Sequence, residues 1–139
     1  MVAGWEDPLT GERTLVSPEH LSDVDIDNEF YWQTVLEAMH DVMQGARGTA
    51  RAVGTGAPYT MAGKSGTAQV FSVAQEAKYN EDEIEYRLRD HALFVAFAPV
   101  DNPQIAVAVI VENGSSGSRI AAPIARAVMD GYLEAGDAR

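Results

Sequence analysis

The residues best equipped for chemistry are Lys64, Ser65, Gly66 and Thr67, which stand in one run. Lys64 supplies a cation, and Ser65 and Thr67 supply hydroxyls. Together they suit a substrate that ends in a carboxylate. Gly66 leaves a position without a side chain, as an acyl group lying along the backbone requires. The N–H after that glycine, on Thr67, can then point at a developing oxyanion. The run reads as one wall of an acyl-transfer site. Lys64 and the Thr67 N–H are the catalytic candidates, and Lys64, Ser65, Gly66 and Thr67 the substrate-binding ones. Short strings of this kind also form ordinary turns, so the neighbouring sequence must decide.

A phosphate loop is the other chemistry that Gly63-Lys64-Ser65 suggests. That motif needs a glycine five residues before Gly63, where Pro58 stands. It also needs a helix to open after Ser65. Gly66-Thr67-Ala68-Gln69-Val70 has extended character instead.

The elements that must position this run can be read around it. Residues 28–44 predict a helix, with Tyr31, Val35 and Met39 at every fourth position and Trp32, Leu36 and Met43 extending that apolar face. Asp27 or Asn28 is placed to cap its start, and Gly45 to end it in a left-handed turn. Residues 45–57 hold four glycines and read as tight turns, with a short helical turn through Thr49–Val53. Residues 59–71 predict the strand that carries the motif, in which Gly63 and Gly66 mark close approach by a ligand or another backbone. Residues 73–90 are highly charged and predict a solvated connection, with Ile84 and Leu88 spaced for a helical turn. Two further strands are expected over 91–98 and 104–112, joined by a turn between Pro99 and Pro103. The second is almost unbroken apolar sequence, as in a strand buried on both faces. After the turn at Gly114 to Gly117, a helix runs to about Glu134. Ile120, Ile124, Val128 and Tyr132 repeat along it, with Ala121, Ala125 and Met129 beside them. Pro123 belongs in its first turn. The expected fold is α+β, an antiparallel sheet flanked by helices. The expected organisation is an irregular lead-in over 1–27, with one short strand or turn, the folded part over 28–135 and a tail over 136–139.

Bulk properties narrow the function further. A chain of 139 residues suits one domain or a piece of one, and an apolar share of 46% is enough for a core. The net charge of -11 argues against nucleic acid and against an anionic membrane surface. The absence of cysteine excludes thiolate zinc sites and disulfides. His20, His40 and His91 have no ligand spacing, so neither a metal nor another cofactor is expected. No run is long and apolar enough to span a membrane, and the start does not resemble a signal peptide. Arg47 and Arg51 read as partners of the abundant acidic residues, and Phe30-Tyr31-Trp32 as core.

The run from Tyr59 to Val70 resembles the motif strand of class B penicillin-binding proteins, the elongation-type members in particular. Asp90-His91-Ala92-Leu93-Phe94-Val95-Ala96-Phe97-Ala98-Pro99 is similar to their next strand, and Ile105 to Gly114 to the one after. Ala121-Ala122-Pro123-Ile124-Ala125 resembles the start of their last helix, and Gly45-Ala46-Arg47-Gly48-Thr49-Ala50 the turn before the motif strand. The resemblance covers roughly residues 28–135. It implies a partial penicillin-binding/serine β-lactamase-like fold and a periplasmic D,D-transpeptidase that cross-links peptidoglycan stem peptides through a serine acyl-enzyme. It implies stem peptides, β-lactams and cell-elongation proteins as partners, at the periplasmic face of the bacterial inner membrane.

The family uses three motifs, Ser-x-x-Lys, Ser-x-Asn and Lys-[Ser/Thr]-Gly. None of the serines here, Ser17, Ser22, Ser65, Ser72, Ser115, Ser116 and Ser118, has Lys three residues on or Asn two residues on. The nucleophile is therefore not in this chain, which looks like the C-terminal portion of a transpeptidase domain and is expected to be inactive alone. Two alternatives stand beside that reading. One is a non-catalytic scaffold that binds a cell-elongation partner, or pairs with another copy through exposed sheet edges. The other is a serine β-lactamase, which shares the Lys-[Ser/Thr]-Gly strand but is disfavoured by the flanking Ala-Gln-Val and by Phe-Val-Ala-Phe-Ala-Pro.

Overall fold

The computed structural model describes residues 4–17, 22, 26, 28–70 and 84–137. Its centre is a three-stranded antiparallel sheet of β3 (Ala62–Ala68), β4 (His91–Ala98) and β5 (Ile105–Val111), in that order. Helix α1 (Glu29–Gln44), the single turn α2 (Arg51–Gly54) and helix α3 (Ala122–Asp137) pack around it. The lead-in is more regular than expected, because β1 (Gly4–Glu6) and β2 (Arg13–Leu15) pair as a hairpin. Asp7 closes its turn by accepting from the N–H groups of Leu9 and Thr10.

Helix α1 starts where expected, with the Asn28 side chain accepting from the Phe30 N–H at 2.9 Å. It ends at Gly45 in extended backbone, not in the expected left-handed turn. Gly45 is there for space. A Cβ on it would lie 2.6 Å from the Asp41 carbonyl oxygen. Only the C-terminal half of α1 reaches the core, through the fully buried Met43. Phe30, Tyr31 and Trp32, expected in the core, are 68%, 62% and 51% exposed. No described element covers that end of the helix.

Of the two neighbouring stripes that lead into and along α3, the alanine-bearing one faces the sheet. Ile120, Ile124, Val128 and Tyr132 face outward, while Ala121, Ala122, Ala125 and Met129 are buried against the sheet. Alanine methyls let the helix backbone lie close to the strands, and close seating excludes water from the Phe94 ring beneath. Pro123 falls in the first turn of α3, after a π-helical turn over Gly117–Ala121. Strand β5 is half open rather than buried on both faces, since Ala106, Ala108 and Ile110 are exposed. The motif strand is shorter than the expected 59–71. Residues 71–83 of the charged connection lie outside the described residues. Tyr86–Leu88 forms a 3-10 turn near the expected helical turn.

Candidate functional site

The register of β3 on β4 sets the geometry of the motif. Lys64 stands opposite Val95, Ser65 opposite Phe94, Gly66 opposite Leu93 and Thr67 opposite Ala92. Side chains alternate along a strand. Ser65 and Thr67 therefore share the face that carries Phe94 and Ala92, and Lys64 the face that carries Val95. Lys64 and Thr67 are exposed, and Ser65 and Gly66 half-buried.

Backbone direction follows from a neighbour. A side-chain carbon placed on Gly117 would fall 2.3 Å from the Leu93 carbonyl oxygen, 2.6 Å from that of Gly66 and 3.1 Å from the Gly66 nitrogen. One point that close to all three atoms requires both carbonyls to turn inward, between β3 and β4. Across a trans peptide the N–H and the C=O point in opposite directions. The Thr67 N–H therefore points outward, and so does the Ser65 carbonyl. Among the described residues no strand pairs with that side of β3. Although its side chain leaves the strand on the opposite face, Lys64 donates from Nζ to the Ser65 carbonyl oxygen at 2.6 Å. An ammonium group and an outward N–H thus sit side by side along one unpaired edge. Such an edge can hold an anionic or carbonyl-bearing extended ligand.

Three anchors fix the strand and its neighbours. Before β3, Thr60 accepts from the Val100 N–H at 3.1 Å and donates to Asp101. Tyr59 donates to Asp130 on α3 at 2.5 Å, and Arg126 donates to the same oxygen at 2.7 Å and to the Val53 carbonyl at 2.8 Å. Burial, and then the hydrogen bond to Asp130, push the Tyr59 phenol well above its usual range. Burial also pulls the Asp130 carboxyl upward. The hydrogen bonds from Tyr59 and Arg126 outweigh it and hold that carboxyl below the usual range. At the far end of the sheet, Asn113 takes a left-handed conformation with φ 57°. Its side chain donates to the carbonyls of Arg87 and Arg89, and its N–H donates to Nδ1 of His91. His91 opens β4, as expected, and His40 lies on α1 beside Asp41. The sequence reading missed these anchors. Only the Asn113-Gly114 dipeptide carried a local signal, that of a turn.

A cavity of about 440 Å³ lies at the α1–α2 turn beside Asp41, Gly45 and Thr49. Another of about 300 Å³ opens over Met39, Val95 and Ala108. The motif lines neither. No described helix is long and apolar enough to cross a membrane.

The sequence model of the penicillin binding protein transpeptidase domain matches residues 1–130. The chain belongs to that family. It is 50% identical over 102 residues to the peptidoglycan D,D-transpeptidase MrdA of Haemophilus influenzae, a match covering 73% of this chain and 16% of that protein. Its fold matches the crystal structure of penicillin-binding protein 2 of Pseudomonas aeruginosa, solved with WCK 5153, with a TM-score of 0.69 and 49% identity. That match covers 85% of this chain and 23% of the other. Penicillin-binding protein 2 of Helicobacter pylori, solved in complex with MreC, matches with a TM-score of 0.65 and 30% identity, over 78% of this chain and 18% of the other. The α+β fold is therefore that of the penicillin-binding transpeptidases, and the class B, elongation-type resemblance holds. The chain spans about a sixth of the length of the MrdA it matches.

Proposed function

We propose that this chain is the wall of a peptidoglycan D,D-transpeptidase site opposite the nucleophile. In the intact domain, Lys64, Ser65 and Thr67 hold the carboxylate end of a stem peptide or a β-lactam. Gly66 leaves room for the acyl group, and the Thr67 N–H stabilises the oxyanion. The serine, its activating lysine and the Ser-x-Asn residues come from sequence outside these 139 residues. The observation that carries the reading is the pairing of the Lys64 ammonium and the outward Thr67 N–H along one unpaired edge, in a chain of this family.

The intact protein works at the periplasmic face of the inner membrane in cell-wall and cell-shape synthesis. The Helicobacter pylori relative, solved with MreC, supports an elongation-machinery partner. The test is covalent labelling by a fluorescent penicillin, followed on a denaturing gel. The full-length polypeptide is expected to label, and the 139-residue chain to stay unlabelled. Labelling of the short chain would overturn the division of the site, and an unlabelled full-length polypeptide would overturn the transpeptidase reading itself.

A further inference from the structure

We infer that Gly117 is a positioning residue for acyl transfer, because it forms the back support of the peptide that presents the oxyanion donor. The inference rests on the reading of Thr67 proposed above. The Gly66 carbonyl and the Thr67 N–H belong to one rigid peptide plane. Gly117 touches that plane from behind, through the carbonyl. The approach is so close that a single added carbon would overlap two carbonyl oxygens, at 2.3 and 2.6 Å. All the nearest atoms are backbone, so no side chain can rotate away to make room.

The constraint is spatial rather than conformational. The positive φ angles of the described residues fall at Asn113, Ser115, Gly11 and Gly56, and Gly117 is not among them. Alanine could adopt the Gly117 backbone. To be seated there, it must displace the π-helical turn, or else the Leu93 carbonyl and the Gly66–Thr67 plane together. An N–H moved by a fraction of an ångström no longer meets the position that an oxyanion occupies. The turn has contacts of its own that hold it in place. Ser116 accepts from the Arg119 N–H at 3.4 Å, Ser115 donates to the Asp90 carbonyl at 2.8 Å, and Ala121 and Ala122 are fully buried. The displacement therefore falls on the two carbonyls that face it, those of Leu93 on β4 and Gly66 on β3.

Two nearby glycines serve as controls. A Cβ on Gly114 would crowd the Val111 and Ala92 side chains at 3.0–3.1 Å, which strains the preceding turn through side-chain atoms and not against the Gly66–Thr67 plane. A Cβ on Gly131 meets nothing within 4 Å. The experiment uses the full-length polypeptide and reads the second-order rate of acylation by benzylpenicillin, the melting temperature and the infrared carbonyl stretch of the acyl-enzyme. Gly117→Ala is expected to slow acylation by about 10- to 100-fold and to move the carbonyl stretch to higher wavenumber, the signature of a weaker oxyanion contact. Gly114→Ala should lower the melting temperature yet acylate at the wild-type rate per folded molecule, and Gly131→Ala should keep the rate and raise the melting temperature slightly, because alanine favours the helix.

A wild-type rate and carbonyl frequency in Gly117→Ala would overturn the assignment, as would equal slowing in Gly114→Ala. If Gly117→Ala does not fold, hydrogen exchange of the wild type decides. Acylation should slow exchange across residues 115–121 together with 62–68, and an unchanged 115–121 segment would overturn the support role. A wild type that benzylpenicillin does not acylate would instead remove the transpeptidase reading on which the role depends.

Discussion

Tyr59 and Asp130, 71 residues apart in sequence, share a 2.5 Å hydrogen bond that ties the approach to the motif strand to the middle of the last helix. Arg126 completes the knot from one turn earlier on α3 and stands over the Tyr59 ring at 5.7 Å. Replacing Tyr59 with Phe keeps the ring and removes the bond. Urea unfolding of the 139-residue chain should then show a loss of about 1 kcal/mol. Asp130→Ala should cost more, since it leaves both the phenol and the guanidinium without that acceptor.

The same knot sets how stability responds to pH. Folded Tyr59 keeps its proton at pH values where the unfolded phenol loses it. Its contribution is full below about pH 10 and is lost as the pH rises beyond that. Folded Asp130 stays ionised to lower pH than its unfolded counterpart. Its contribution is present above about pH 4 and is lost as the pH falls through the folded value. Thermal melts across pH should show a plateau with two falling limbs, the alkaline limb being shallower in Tyr59→Phe.

How far the sequence alone could lead depends on which interactions were local. β4 and β5 were readable because Pro99 and Pro103 punctuate two apolar runs. The motif was readable because its chemistry lies in adjacent residues. The direction of the Thr67 N–H was not, since it depends on the register with β4 and on which side of β3 is paired. Apolar periodicity on α3 could not tell which stripe faces the sheet, because it gives more weight to Ile and Tyr than to Ala. On α3, Ala122, Ala125 and Met129 face the sheet, while Ile124, Val128 and Tyr132 face away.

The burial pattern of α3 makes a sharp test. Ala125→Leu should lose about 1–3 kcal/mol by overpacking against the sheet. Ile124→Ser, one position away but 44% exposed, should stay within about 0.5 kcal/mol of wild type. Equal costs at the two positions would contradict the burial pattern.

The aromatic end of α1 makes a different one. Phe30 and Tyr31 pack edge to face with ring centroids 6.3 Å apart, and both are largely exposed. Changing Phe30, Tyr31 and Trp32 together to Gln should leave the melting temperature of the short chain nearly unchanged and raise its solubility, as read by light scattering. A marked fall in melting temperature would show that these rings are covered after all.

Lys64→Ala in the full-length polypeptide should slow penicillin acylation by at least about 100-fold, with the cooperative melt retained because the side chain is exposed. An unchanged acylation rate would remove Lys64 from the site.

The alanine stripe of α3 governs more than packing. Towards the sheet, Ala122 and Ala125 present methyl groups, which have no rotamers to exchange, beside the longer Met129. That seating joins the helix to β4 and β5, and β4 in turn carries the motif strand at the edge of the sheet. A sheet backed in this way resists bending, so a groove along its edge gains width mainly from the opposite bank.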